Sequence, residues 1–97
     1  MVTPAHVKRR KPHDRGWPRR EWILLRLRAA DGPSYDLLCR QVIAAHPEDN
    51  PHCAKAWGVR AVRDVMYRGL VTTEADESCW LTEKGWAASD GAAERAT

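Results

Sequence analysis

The stretch Val59 to Trp86, VRAVRDVMYRGLVTTEADESCWLTEKGW, decides the fold. On a wheel of about 100° per residue, Gly58, Ala61, Val62, Val65, Met66 and Leu70 fall on one arc, with Val59 beside it. Trp57, Arg60, Arg63, Asp64, Tyr67 and Arg68 cover the opposite side. This is an amphipathic helix with one face for a core and one for solvent or a partner. Gly69 supplies the left-handed residue that closes such a helix. Leu70 to Glu74 then reads as a strand, Ala75 to Ser78 as a turn, and Cys79 to Thr82 as the return strand. Thr82 is suited to cap a following helix, with Glu83 in its first turn against the positive end of the helix dipole.

Upstream, the periodicity predicts two more helices. Ser34 caps the nearer one, with Asp36 in its first turn. Leu38, Val42 and Ala45 share a face with Tyr35 there, Cys39 and Ile43 flank it, and the helix ends near His46-Pro47. The first helix runs from Pro18 or Arg19 to Ala30, since proline suits an opening turn where its missing N–H is no loss. Trp22, Ile23, Leu24, Leu25 and Leu27 demand a broad buried face, leaving Arg20, Arg26 and Arg28 outward. Asp31-Gly32-Pro33 stops it. The link Pro47 to Cys53 is acidic and holds two prolines, so the third helix is expected from near Ala54 to Arg68. Downstream, Glu83 to Ala88 reads as a short helix. The expected organisation is a flexible arm over 1–17, a folded domain over 18–89 and a disordered tail over 90–97.

At 97 residues the chain is sized for one small domain, near the lower limit for a self-sufficient core. No apolar run approaches the ~20 residues of a membrane span and no signal-peptide pattern is read. Three cysteines at irregular spacing argue against a disulfide framework and for a reducing cytoplasm. Arginine-rich, alanine-rich usage and small size suggest a bacterial or phage source. The net charge of +3 hides an asymmetry. Residues 1–20 hold seven basic side chains against Asp14 alone, a net of +6, so the remaining chain carries −3. Attraction to phosphate is therefore concentrated at one end.

Arg68-Gly69-Leu70-Val71 and Leu81-Thr82-Glu83-Lys84-Gly85, separated by a wing-sized gap behind an amphipathic helix, resemble the second half of a winged helix-turn-helix domain of the MarR and PadR types. The likeness covers about Ser34 to Trp86. It implies an α+β, mostly α fold: a three-helix core with a small β-hairpin wing. It also implies a small DNA-binding regulator of transcription or recombination, with the third helix reading the major groove of double-stranded DNA. Two features depart from that pattern. The link between the second and third helices exceeds the ~3–4 residue turn of a compact helix-turn-helix. The long dimerisation helices that follow this motif in those families have no counterpart, so a monomer or weak homodimer is expected.

The DNA-contact set follows from both lines. Lys8, Arg9, Arg10, Lys11, Arg15, Arg19 and Arg20 would grip phosphates or the adjacent minor groove. Arg15-Gly16-Trp17-Pro18 is similar to the Arg-Gly-Arg-Pro core of AT-hook peptides, but Trp17 replaces the second arginine and no base preference carries over. On the third helix, Lys55, Trp57, Arg60, Arg63 and Tyr67 form the candidate reading surface, because guanidinium groups pair bidentately with guanine or hold phosphates. The competing readings are a solubilising tail and an ordinary solvated face with Asp64 pairing Arg60 or Arg68.

The wing argues for a different partner. Glu74, Asp76 and Glu77 crowd its tip, and no base stands between Gly69 and Lys84, so phosphates would be repelled. The alternative function is a winged-helix protein-interaction module or inhibitor using this acidic wing. Trp80 would be an outward anchor there; otherwise it lies flat on Trp86 or on the arm. His46, His52, Cys53 and Cys39 raise zinc, but the adjacent His52-Cys53 lacks the usual ligand spacing, so no metal and no cofactor is expected. Cys39 and Cys79 read instead as small buried residues. No nucleophile, phosphate-loop or metal-helix motif points to an enzyme.

Overall fold

The computed structural model describes residues 16–96. Among them the chain is α+β and mostly helical. The order is α1 (Gly16–Leu27), α2 (Tyr35–Ala45), α3 (Pro51–Tyr67), β1 (Val71–Thr73), β2 (Cys79–Leu81) and α4 (Glu83–Ala96). The strands form an antiparallel hairpin in register Val71↔Leu81, Thr72↔Trp80 and Thr73↔Cys79. This order is compatible with a winged-helix layout. No helix among the described residues is long and apolar enough to cross a membrane.

The core is the set of apolar arcs brought together. Ile23, Leu24 and Leu27 of α1 meet Leu38, Cys39 and Val42 of α2, Ala61, Val62 and Val65 of α3, and Val71, Cys79 and Leu81 of the hairpin. Fully burying one such aliphatic side chain is worth about 1.5–3 kcal/mol, so the arc on α3 sets which of its faces turns outward. α2 and α3 approach closely: a Cβ at Gly58 would stand 2.5 Å from Ile43 Cγ1.

The two motifs flanking the hairpin form a single junction. Gly69 has φ +78, its N–H donates to the Met66 carbonyl, and the Leu70 N–H donates to the Val65 carbonyl. Those are the paired bonds of a Schellman cap. The Thr82 hydroxyl donates to the Gly69 carbonyl at 2.6 Å and accepts the Gly85 N–H at 3.0 Å, capping α4. The Thr82 N–H bonds the Leu70 carbonyl at 3.0 Å. At Gly85 an added Cβ would lie 1.9 Å from the Leu70 carbonyl oxygen, so only glycine lets the start of α4 cross there.

Ser34 caps α2 as expected, accepting the Leu37 N–H at 3.1 Å. It also pairs with Ser78 in an isolated bridge: Tyr35 N–H donates to the Glu77 carbonyl and Cys79 N–H to the Pro33 carbonyl. The α1–α2 connection thus lies along β2 and fixes the hairpin to the helical core.

Beyond one-residue shifts at the strand ends and at the end of α3, four boundaries differ from the sequence reading. α1 begins at Gly16 and ends at Leu27 rather than Ala30, because Arg28, Ala29 and Ala30 bond three residues back and tighten the last turn. α3 begins at Pro51 rather than Ala54. Asn50 caps it through its side chain, accepting the His52 N–H at 2.8 Å, and Pro51 takes the opening position. Only residues 46–50 then link α2 to α3, which removes most of the apparent departure from a compact helix-turn-helix. Finally, α4 continues to Ala96 in place of a short helix and a 90–97 tail. Its small residues are there for packing, since Ser89 and Ala92 are fully buried.

Candidate nucleic-acid interface

The outward face of α3 carries Trp57, Arg60, Arg63 and Tyr67, at spacings of three, three and four that keep them on one stripe. Arg60 and Arg63 are exposed, Trp57 is half-buried, and Tyr67 is 92% exposed. The Arg60 guanidinium carbon sits 5.2 Å from the centroid of the Trp57 ring, a stacked cation–π arrangement. Lys55 is exposed as well, but it lies five residues before Arg60 and therefore about 140° around the helix. The structure does not bring it onto the stripe. Asp64 pairs with Arg68 at 2.9 Å and with Arg20 at 3.3 Å, not with Arg60.

Arg19 and Arg20, expected to contact DNA, are built into the fold instead. Arg19 is 5% exposed and bonds Glu48 at 2.8 Å, tying α1 to the acidic α2–α3 link. Arg20 reaches Asp64 on α3 and stacks over Trp17, 5.5 Å from its centroid. The signal for this was legible in the spacing. Arg19 stands four residues before Ile23 and eight before Leu27, on the buried arc of α1. The remaining arginines of the body follow suit. Arg26 pairs with Asp31, Arg28 with Asp90, Arg40 with Asp36 and Arg95 with Glu21. The Arg26 hydrogen bond holds the Asp31 carboxyl below the usual carboxylate range. Among the described residues, seven of nine arginines thus face a carboxylate, and the two that do not are Arg60 and Arg63. Lys84 donates to the Arg68 carbonyl at 3.1 Å, at the negative end of α3. Lys8, Arg9, Arg10, Lys11 and Arg15 lie outside the described residues.

The hairpin tip is acidic and open: Glu74, Asp76 and Glu77 are exposed. Asp76 accepts the Ser78 N–H at 3.0 Å and the Ser78 hydroxyl at 2.6 Å, which holds its carboxyl below the usual range. Glu77, with φ +67, closes the turn. Among the described residues Trp80 neither stands out as a free anchor nor lies on Trp86; most of the arm, its other expected seat, is outside the described residues. Its indole N–H donates to Ser78 Oγ at 2.8 Å. Its ring covers the α1–α2 connection so closely that a Cβ at Gly32 would sit 2.4 Å from Cζ2. Trp86 instead has the Arg28 guanidinium 5.7 Å from its centroid.

Cys39 and Cys79 are buried among the core side chains, and burial pushes both thiols above the ordinary range. Cys53 is exposed at the start of α3. Among the described residues no three His, Cys, Asp or Glu side chains converge as metal ligands would. Comparison of the chain with family models, with curated proteins and with solved structures returns no match. The functional reading therefore rests on the residues and their geometry.

Proposed function

We propose that this chain is a winged helix-turn-helix DNA-binding regulator of the cytoplasm, with α3 in the major groove of a duplex and the basic segment 1–15 on the backbone. The observation that carries the reading is the distribution of free guanidinium charge. Among the described residues the body neutralises its other arginines with carboxylates but leaves Arg60 and Arg63 open on the outward face of α3. An α-helix about 10–12 Å across matches a major groove about 12 Å wide. The five-residue α2–α3 link supports a helix-turn-helix pair, and the bridge from the α1–α2 connection holds the hairpin beside it. Three free thiols suit a reducing compartment.

The test is equilibrium binding of the whole chain to duplex DNA across a salt series. Log K should fall linearly with log salt, by roughly 0.9 per phosphate contact, and deleting residues 1–15 should flatten the slope. No retention of any duplex at low salt overturns the reading. The acidic hairpin tip favours a second one, a module that docks on a basic protein surface. Trp80, its expected anchor, is half-buried with its ring over Gly32 and its N–H on Ser78, so the exposed tip would carry most of the contact. Capture of one cellular protein that disappears in Glu74→Lys/Glu77→Lys, without duplex binding, would select this second reading.

A further inference from the structure

We infer that Arg60 is the base-reading residue of this surface, that the base it reads is a guanine, and that Trp57 is its positioning residue; the inference rests on the duplex-binding reading above. Four arginine guanidinium groups lie over tryptophan rings among the described residues: Arg20 and Arg95 over Trp17, Arg28 over Trp86, and Arg60 over Trp57. In three of them the N–H edge is already spent. Arg20 faces Asp64, Arg95 faces Glu21, and Arg28 donates to both Asp90 and Ser89. Only the Arg60 stack leaves that edge open, on an exposed side chain. A stacked guanidinium has one face shielded from water and fewer rotamers to lose, so less is given up for each hydrogen bond it forms.

An open, planar N–H edge asks for two acceptors side by side. In a major groove that pattern is O6 and N7 of guanine; the other candidate is a phosphate. Position decides between them. Arg60 sits midway along α3, at the centre of its outward stripe, with Trp57 and Arg63 one turn to either side. The middle of a helix lying in the groove faces base edges, while the flanks meet the two backbones. Among the described residues Arg63 has no ring beneath it, and the Asp64 carboxylate beside it is held by Arg20 and Arg68, so none of them fixes its direction as Trp57 fixes Arg60.

The experiment is selection from a random-sequence duplex pool with the whole chain and four variants. The wild type should enrich a motif with one invariant guanine. In Arg60→Lys, which keeps the charge and loses the fork, preference for that guanine should drop roughly tenfold while the salt slope stays the same. Arg63→Lys should keep the guanine. Trp57→Leu should relax the guanine preference without flattening the salt slope, and Trp57→Tyr should restore it, a pattern that loss of folding would not produce. Undiminished guanine preference in Arg60→Lys overturns the assignment while leaving duplex binding intact. Undiminished preference in Trp57→Leu overturns the positioning role. A wild-type chain that retains no duplex at low salt overturns the DNA reading, and this assignment with it.

Discussion

The arginines of α1 and of α3 are the same residue type put to opposite uses. Each α1 arginine ends on a carboxylate from elsewhere in the chain: Arg19 on Glu48, Arg20 on Asp64, Arg26 on Asp31 and, just past the end of the helix, Arg28 on Asp90. The separations in sequence reach 62 residues, so these side chains connect elements that hydrophobic packing alone holds loosely in a small domain. On α3, Arg60 and Arg63 face outward and meet no carboxylate among the described residues. A count of basic residues therefore measures attraction to phosphate poorly. What matters is which charges the fold leaves unneutralised.

The largest effect that sharpens this contrast is expected at the Arg19–Glu48 pair. Glu48→Gln removes the carboxylate facing a cation whose side chain is 6% exposed, at the end of the pair that is itself 27% exposed. Stripping one partner from a fully buried pair costs about 3–5 kcal/mol, and partial solvation of Glu48 lowers that to about 2–3 kcal/mol here. Denaturant unfolding should show it as a lower midpoint at unchanged slope. Duplex affinity, compared at equal folded fraction, should not move. A stable Glu48→Gln variant with altered DNA binding would place Arg19 back among the contacts.

Arg63→Ala tests the other side and should act the opposite way. Stability should stay within about 0.5 kcal/mol, because the side chain is exposed and touches no carboxylate among the described residues. Binding should weaken by about 1 kcal/mol across all duplex sequences, with the salt slope smaller by roughly 0.9. A variant that unfolds instead would mean that this face of α3 holds the fold together rather than meeting a partner.

Much of this was legible in the sequence, and what was not has a common cause. Ser34, Gly69 and Thr82 act through bonds spanning three to five positions, or across one tight junction, and residue type reveals such roles. The α3 arc was legible because 3.6-residue periodicity is local as well. Asn50-Pro51 also makes a local start signal, but within an acidic link with two prolines it reads as loop until the cap is seen. The α4 extension was hidden because Ala, Ser and Gly mark both frayed ends and close helix packing. Only the presence of α1 against Ser89 and Ala92 separates the two. Arg19 with Glu48 and Trp80 over Gly32 are tertiary choices made by distant partners, which no local pattern records. In the candidate site the stripe Trp57, Arg60, Arg63 and Tyr67, the place of Lys55 off it and the place of Arg19 on the buried arc of α1 were all readable from 3.6-residue spacing, while the carboxylates that take up Arg19 and Arg20 were not.

The smallest effect expected is at the carboxylate that joins the two helices. Asp64 stands on the outward side of α3, about 40° from Arg60, and its carboxylate serves Arg20 from α1 and Arg68 four residues on. Asp64→Asn keeps the shape, removes one negative charge from the candidate face, and withdraws the carboxylate from two guanidinium groups. Arg68 is 53% exposed, so its pair is worth little; with the Arg20 contact at 3.3 Å, the stability cost should be about 0.5–1 kcal/mol. If α3 faces DNA, phosphates meet one repulsive charge fewer, and the exposed Arg68 guanidinium is no longer held by a carboxylate. Affinity should then rise about two- to threefold at low salt, with a slope steeper by roughly 0.9 for each additional phosphate neutralised. If the DNA-facing surface lies elsewhere, the same small stability loss should appear with affinity and slope unchanged. That outcome would show that the open arginines of α3 are solvated side chains, and the contrast with α1 would then describe neutralisation alone.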